Sequence, residues 1–249
     1  LKILRENKIK YLFIENNFIS KFFSICLYRL FADNFYFKIR TRDDDNNLPN
    51  NLFEDFIKDK IFEKIGIKKN KYICIYSRDS KYLEDRFKNI DFSYHNYRNA
   101  DINNLKELSL YVRSKYELSV IRVGTNTSKK ISWEKKEAPL IFDYSRSELR
   151  NDENDVNLIS QCFLYINNGG GLFSIAKASR REILTINHVP FFASPQSKLW
   201  LPKLIRKKSN NNYLTINDIV KLDIHLTVEN YSKDLQKYGL FVEENSSSD

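Results

Sequence analysis

The stretch KYICIYSRDSKYLEDRFKNIDFSYHNYRNAD, residues 71–101, decides the fold of this chain. It opens with a continuous apolar run at residues 72–76 and turns abruptly polar in SRDS, residues 77–80. A short apolar run with this ending is typical of a buried strand that leaves a parallel sheet at its carboxyl end, the edge where open α/β sheets bind ligands. A second polar cluster, HNYRN at residues 95–99, follows before a helical pattern resumes. Two polar clusters after one strand predict a functional site.

Short apolar runs and helical patterns alternate along the rest of the chain. Further strands are predicted at residues 119–123, 139–142, 163–166 and 183–186. Helices are predicted at residues 52–65, 102–116 and 153–161, and from residue 172 onward. Gly66 suits the left-handed position that ends the first of these helices. The alternation predicts an α/β fold, a Rossmann-like parallel sheet with flanking helices.

The clearest break in the chain is RDDDNNLPNN at residues 42–51, which is charged, rich in asparagine and almost free of apolar residues. It predicts a boundary between residues 1–46, the remnant of an N-terminal domain, and residues 47–249, the Rossmann-like domain. The apolar first 40 residues are interpreted as core helices or strands of that remnant, with an amphipathic segment on a membrane surface as the alternative. Because the chain begins at Leu1 and contains no methionine, we expect it to be a piece of a longer protein.

Composition narrows the classes of protein to consider. The chain has 249 residues and a formal net charge of +9, which favours an anionic partner. Lysine is spread along the whole length and no purely basic tract dominates, so nucleic-acid binding is the less favoured interpretation. The 3 cysteines are far apart, which argues against a disulfide framework or a zinc site. No apolar run reaches the ~20 residues of a membrane helix, and we expect a cytoplasmic protein.

Parallel strands would bring distant polar residues to one edge of the sheet. The residues expected there are Arg78, Gly124, Asp143 with Tyr144, residues 167–171, and Asn187 with His188. A glycine-rich turn such as residues 169–171 lets backbone N–H groups approach a phosphate, and an arginine offers a planar fork that suits diphosphate oxygens. The alternatives are a simple tight turn and an ion pair of Arg78 with Asp79 or Asp85.

Six motifs of this chain occur together and in one order. They are SRDSKYL (77–83), FSYHNYRNADI (92–102), VIRVG (120–124), IFDYSRSELRND (141–152), NNGGGLFSIA (167–176) and LPKLIRKKSNNNYLTINDI (201–219). The set resembles a bacterial glycosyltransferase family encoded in surface-polysaccharide gene clusters. That family is similar to GT-B glycosyltransferases and, distantly, to the donor domains of fucosyltransferase-type enzymes. The match runs from about residue 51 to the C-terminus.

The resemblance implies that this domain binds a nucleoside-diphosphate sugar and that the enzyme transfers the sugar to a surface glycan acceptor. No metal ion and no other cofactor are then expected, because positive side chains neutralise the leaving diphosphate. The residues implied to be catalytic are His95, as general base or sugar ligand, and Asp79. Those implied to bind the nucleotide or its sugar are Arg78, Tyr97, Arg98, Asn99, Arg122, Gly124, Asp143, Tyr144, Arg150, Gly169, Gly170 and Gly171. Helix capping or ion pairing remains the alternative for His95 and the aspartates.

Two departures from the family pattern leave a second function open. Gly170 stands where the family has a hydroxyl residue, and Asn96 stands where it has an aspartate. Both changes fit a degenerate, non-catalytic nucleotide- or sugar-binding module. The basic stretch LPKLIRKK, residues 201–208, is interpreted as a solvated loop. Its alternatives are a peripheral contact with the anionic inner membrane and a nucleic-acid contact.

Overall fold

The structure, a computed structural model, describes residues 58–125, 127–131, 133, 141–190, 197, 199–222, 224 and 228–246. The predicted N-terminal remnant, residues 1–46, and the boundary at residues 42–51 lie outside these residues. The first part of the helix predicted at residues 52–65 lies outside them too.

Six parallel strands form the main sheet. In chain order they are β1 (Tyr72–Ile75), β2 (Ser119–Arg122), β3 (Ile141–Asp143), β4 (Leu164–Asn167), β5 (Glu182–His188) and β6 (Leu199–Pro202). Their order across the sheet is β3-β2-β1-β4-β5-β6, and all five pairings are parallel. The predicted Rossmann-like parallel sheet is therefore confirmed. Strand progression reverses between β1 and β4, so the carboxyl ends of these two strands flank the point where such sheets open a crevice for a ligand.

Seven α-helices and three short 3₁₀ segments are found in the described residues. The helices are α1 (Lys60–Ile65), α2 (Lys81–Arg86), α3 (Lys106–Tyr116), α4 (Asp152–Ser160), α5 (Phe173–Ala178), α6 (Ile216–Lys221) and α7 (Val228–Lys237). The 3₁₀ segments are Ser93–Arg98, Ile102–Leu105 and Tyr144–Arg146. Gly66 ends α1 as predicted, with φ of 74° and its N–H donating to Phe62 O and Glu63 O.

Helices cover both faces of the sheet around β1, which explains why this strand is apolar throughout. Tyr72 and Cys74 point to one face, where they share a core with residues of α1, α4 and α5. Ile73 and Ile75 point to the other face, where they share a core with Val112 of α3. All four side chains of β1 are at most 1% exposed. A strand buried on both faces needs no polar alternation, and none is present.

A C-terminal module that the sequence did not predict follows β5. It comprises α6, α7 and a two-stranded antiparallel sheet, β7 (Leu204–Lys207) with β8 (Leu240–Glu243). Its core includes Ile205, Tyr231 and Leu240, and Tyr97 packs against that core. The stretch at residues 201–208, interpreted as a solvated loop, instead supplies the end of β6 and all of β7, and Lys203 is only 5% exposed.

Candidate functional site

The loops that follow β1 and β4 meet at Asn168. Its Oδ1 accepts a hydrogen bond from the backbone N–H of Arg78 at 2.7 Å. Its Nδ2 donates to the backbone carbonyl of Arg98 at 3.0 Å. Asn168 is 6% exposed, so these bonds form out of water and fix the relative paths of three segments. The sequence predicted residues 167–171 at this edge but assigned a ligand role only to the glycines, and the bridging role of Asn168 is a finding of the structure.

Arg78 lies at the carboxyl end of β1, as predicted, and is 8% exposed. Its Nη1 donates to the carbonyl of His95 at 3.3 Å and to Asn99 Oδ1. The alternative ion pair does not form. Asp79 Oδ2 instead accepts from the backbone N–H and hydroxyl of Ser128, and Asp85 pairs with the ammonium group of Lys81 at 2.5 Å.

A second guanidinium, that of Arg98, lies next to Arg78 and to the glycine turn. A Cβ added at Gly169 would lie 3.7 Å from Arg98 Nη2. Burial and the neighbouring charge of Arg98 lower the pKa of Arg78. No carboxylate forms an ion pair with either guanidinium in the part of the chain that the structure describes. Arg78 and Arg98, hereafter the arginine pair, are thus two like charges with no ion-pair partner among the described residues.

Lys203 extends this positive region from the C-terminal module. Its ammonium group donates to the carbonyl of Asn99 at 2.5 Å, and Glu244 Oε1 lies 3.9 Å away. Burial lowers the pKa of Lys203, Glu244 opposes this effect, and the charge of Arg78 adds to it. The fold therefore concentrates positive charge around Asn99, and the buried Lys203 is a contributor that the sequence did not reveal.

The glycine turn after β4 presents backbone donors beside the arginine pair. The N–H of Gly169 donates to Asn167 Oδ1 at 2.8 Å. Gly170 and Gly171 are exposed, and among the described residues their N–H groups find no acceptor. The following helix, α5, has only six residues, so its dipole adds little. The positive charge at this edge comes mainly from the arginine pair.

Close neighbours explain why two of the predicted glycines are required. A Cβ at Gly124 would lie 3.2 Å from the side chain of Thr127, and a Cβ at Gly170 would lie 2.9 Å from the Tyr76 ring. Both glycines also have positive φ, 141° and 139° respectively. A side chain at position 170 would overlap the Tyr76 ring, so the presence of Tyr76 accounts for a glycine at this position.

Gly170→Ala is expected to lower the free energy of unfolding by about 1 to 3 kcal/mol, the cost of a non-glycine residue in this backbone region. The added methyl group also displaces the Tyr76 ring. Gly171→Ala is the matched control, because no atom lies within 4 Å of its added Cβ and its φ is not positive. Urea denaturation followed by circular dichroism measures both variants. Equal stability of the two would show that the turn is not held in this conformation.

Arg122 and Asp143, both predicted to bind the nucleotide, form a buried ion pair with each other. Arg122 Nη1 lies 3.0 Å from Asp143 Oδ2, and the two side chains are 1% and 2% exposed. Asp143 Oδ1 also accepts from the Ser145 hydroxyl at 2.5 Å, and Oδ2 accepts from the N–H of Ile131 at 3.3 Å. Their charges therefore neutralise each other, and the ion pair links β2 to β3.

Three further predicted ligands make structural contacts. The Tyr144 hydroxyl exchanges hydrogen bonds with the backbone of Asn151. Arg150 pairs with Asp152 at 2.8 Å and with Asp155 at 2.9 Å. The ring of Tyr97 packs against that of Tyr231 with centroids 4.9 Å apart, and burial raises the pKa of Tyr97 to about 12. Through these contacts, all three residues stabilise the sheet edge and its loops.

The two residues predicted to be catalytic lie near the arginine pair. The carbonyl of His95 accepts from Arg78, and its half-buried ring packs 4.2 Å from that of Tyr94. Asp79 fixes the Ser128 segment and also accepts from the N–H of Lys81 at 3.0 Å. Their catalytic roles stay predictions. In the described residues no group of three or more His, Cys, Asp or Glu side chains offers a metal site, and no helix is long and apolar enough to cross a membrane.

Neither a scan against models of protein families nor a search of curated proteins found a match for this chain. The geometry of the arginine pair and the glycine turn is therefore the basis for assigning a function.

Proposed function

We propose that the protein is a glycosyltransferase whose Rossmann-like domain binds the diphosphate of a nucleotide sugar at the carboxyl ends of β1 and β4. The sugar is transferred to a surface glycan acceptor, with positive side chains neutralising the leaving diphosphate. One observation carries the proposal. Two adjacent guanidinium groups without an ion-pair partner in the described residues lie at the reversal point of the sheet, beside exposed backbone N–H groups. A diphosphate supplies the missing negative charge at the place where α/β sheets bind ligands.

The same arrangement supports the chemistry of transfer. The bond between the anomeric carbon and the diphosphate oxygen breaks, and negative charge grows on the departing phosphate. Arg78 is fixed beforehand by Asn99 and by the carbonyl of His95, so it stabilises this charge without reorganising. The acceptor hydroxyl gives up a proton as its oxygen attacks. His95, in the 3₁₀ segment beside Arg78, is the proposed base.

A degenerate binding module is the second candidate. Gly170 over Tyr76 excludes the hydroxyl residue of the resembling family, and the carboxylate of Asp79 already accepts three hydrogen bonds. Nucleotide binding without turnover in the full-length protein would favour it. A nucleic-acid-binding function has less support, because part of the basic stretch at residues 201–208 lies in strands with Lys203 buried.

Arg98→Ala tests the proposal with little risk to folding, because the Arg98 side chain makes no hydrogen bond within the described residues. We expect a rise of about 5- to 20-fold in the Kd of whichever nucleoside diphosphate the parent protein binds. This is the effect of losing one charge-assisted hydrogen bond from a half-exposed side chain. Isothermal titration with the diphosphates GDP, UDP and ADP and with the monophosphate CMP measures the Kd.

Arg113→Ala is the matched control for Arg98→Ala. Arg113 lies near the end of α3, a helix that returns the chain from the carboxyl ends of the strands to their amino ends, so the charge removed is far from the site. Equal affinity of the two variants, or no binding of any of the four nucleotides to the parent protein, would overturn the proposed function.

A further inference from the structure

A polar cavity lies beside the arginine pair, between the loops that follow β1 and β2. Its volume is about 360 Å³, and we refer to it as the polar cleft. Asn99 lines the cleft while its side chain accepts from Arg78, so the cleft and the arginine pair share a wall. The other lining residues that matter here are Asp79, Asp101, Arg122, Ser128, Lys129 and Glu244.

The C-terminal tail carries Glu244 into the cleft. Glu244 Oε2 accepts from the N–H of Asp101 at 2.9 Å and from Asn104 Nδ2 at 2.7 Å. Asn245 secures the tail, because it exchanges hydrogen bonds of 2.8 Å and 2.6 Å with the backbone and side chain of Asn187. A carboxylate from the far end of the described chain is thereby fixed 3.9 Å from the ammonium group of Lys203.

Three carboxylates of the cleft retain capacity to accept hydrogen bonds. A carboxylate oxygen accepts about two. Asp79 Oδ1 receives one, from Lys81, and Asp101 Oδ2 receives one, from Lys129. Glu244 Oε1 has only the ammonium group of Lys203 at 3.9 Å. The cleft therefore offers at least three acceptor positions to a ligand that can donate.

The cleft also contains a donor without a partner. Arg122, which lines it, is 1% exposed, and its Nε–H is buried with no acceptor in the described residues. At the rim, the ammonium group of Lys129 donates one hydrogen to Asp101 and has others to offer, and the hydroxyl oxygen of the exposed Ser128, whose hydrogen goes to Asp79, is a further acceptor. The lining thus offers both acceptors and donors around a small polar volume.

We propose that the polar cleft binds a sugar ring. Each hydroxyl of a sugar both donates and accepts, which matches this mixture of carboxylates, hydroxyls and N–H groups. A phosphate or another anion is disfavoured by three carboxylates, and an apolar ligand leaves them unsatisfied. The proposal rests on the proposed function only for the source of the sugar, which is either the nucleotide-sugar donor or the acceptor glycan.

Glu244→Gln tests the cleft. Glutamine keeps an oxygen for Asp101 and Asn104 and replaces the open acceptor with a donor, so the tail stays in place. Glu243→Gln is the matched control, because Glu243 is adjacent and pairs with Arg206 of β7 at 2.5 Å. Ser128→Ala, which removes an exposed rim hydroxyl and its hydrogen bond to Asp79 but keeps the backbone bond between the two residues, is the second variant if Glu244→Gln unfolds. Isothermal titration and saturation-transfer difference NMR are run with UDP, GDP, UDP-glucose, GDP-mannose and methyl glycosides of glucose, galactose and mannose.

We expect a five- to tenfold loss of affinity for a sugar-bearing probe in Glu244→Gln and no change for UDP or GDP. A loss confined to the nucleotide sugars assigns the cleft to the donor sugar, and a loss for the methyl glycosides assigns it to the acceptor. If no sugar-bearing probe responds differently to Glu244→Gln and Glu243→Gln while UDP or GDP still binds, the cleft proposal falls and the proposed function stands. If no nucleotide binds, the proposed function falls, and the methyl glycosides alone decide the cleft.

Discussion

Arg78→Ala is expected to weaken nucleoside diphosphate binding by about 1.5 to 3 kcal/mol, roughly 10- to 150-fold in Kd, the scale of hydrogen bonds to a charged group. The expected effect exceeds that of Arg98→Ala because Arg78 is 8% exposed and is held by two acceptors before any ligand arrives. A charge fixed away from water interacts more strongly with a phosphate than an exposed one. Isothermal titration with the nucleotide that binds best to the parent protein measures the loss.

Arg78 also anchors the 3₁₀ segment, so its two roles need to be separated. Asn99→Ala removes the side-chain acceptor of Arg78 but keeps the charge. Arg78→Lys keeps the charge but loses the planar fork. If Arg78 contacts the diphosphate, Asn99→Ala retains most of the affinity and Arg78→Lys falls between the parent and Arg78→Ala. If Asn99→Ala weakens binding as much as Arg78→Ala does, Arg78 acts only by positioning the loop.

Asp143→Ala is expected to lower the free energy of unfolding by about 3 to 5 kcal/mol. The substitution leaves the guanidinium of Arg122 uncompensated at 1% exposure, and Ser145 and Ile131 lose their acceptor as well. Because small proteins are stable by only about 5 to 15 kcal/mol, this is a large fraction of the total. Urea denaturation followed by circular dichroism measures the change.

The control for Asp143→Ala removes both charges together. Arg122→Met combined with Asp143→Leu fills the volume without burying an ion, so it recovers most of the stability that Asp143→Ala loses. A loss below about 1 kcal/mol in Asp143→Ala would contradict the buried pair. The double variant, once folded, also shows whether nucleotide affinity depends on these two residues, which the sequence had placed among the ligands.

The sheet was predictable because its strands are buried on both faces. Runs such as residues 72–76 stay apolar without interruption, and each ends in polar residues or glycine at the same edge. The C-terminal module was not predictable in this way. β6 and β7 have four residues each and include proline, lysine and arginine, and β7 pairs with a strand that begins at Leu240, so no hairpin turn marks the pair.

Topology also explains which part of the site could be predicted. Parallel strands bring every carboxyl end to one edge, which was enough to join Arg78 to the glycine turn. Pairing within that edge depends on register, which the sequence does not reveal. Arg122 and Asp143 lie opposite each other on β2 and β3, and so their charges compensate each other. Lys203 and Glu244 were hidden for another reason, because they reach the site from the C-terminal module, which was not predicted.

The stacking of Tyr97 on Tyr231 has a thermodynamic consequence. Tyr97 precedes Arg98 in the chain, and Tyr231 belongs to α7, so undocking of α7 would free the segment that carries one of the two guanidiniums. Linkage is reciprocal. If docking of α7 makes the binding free energy of a ligand more favourable, ligand binding stabilises the docked α7 against local unfolding by the same amount. The affinity of the sheet edge for a ligand thus depends partly on whether α7 is docked.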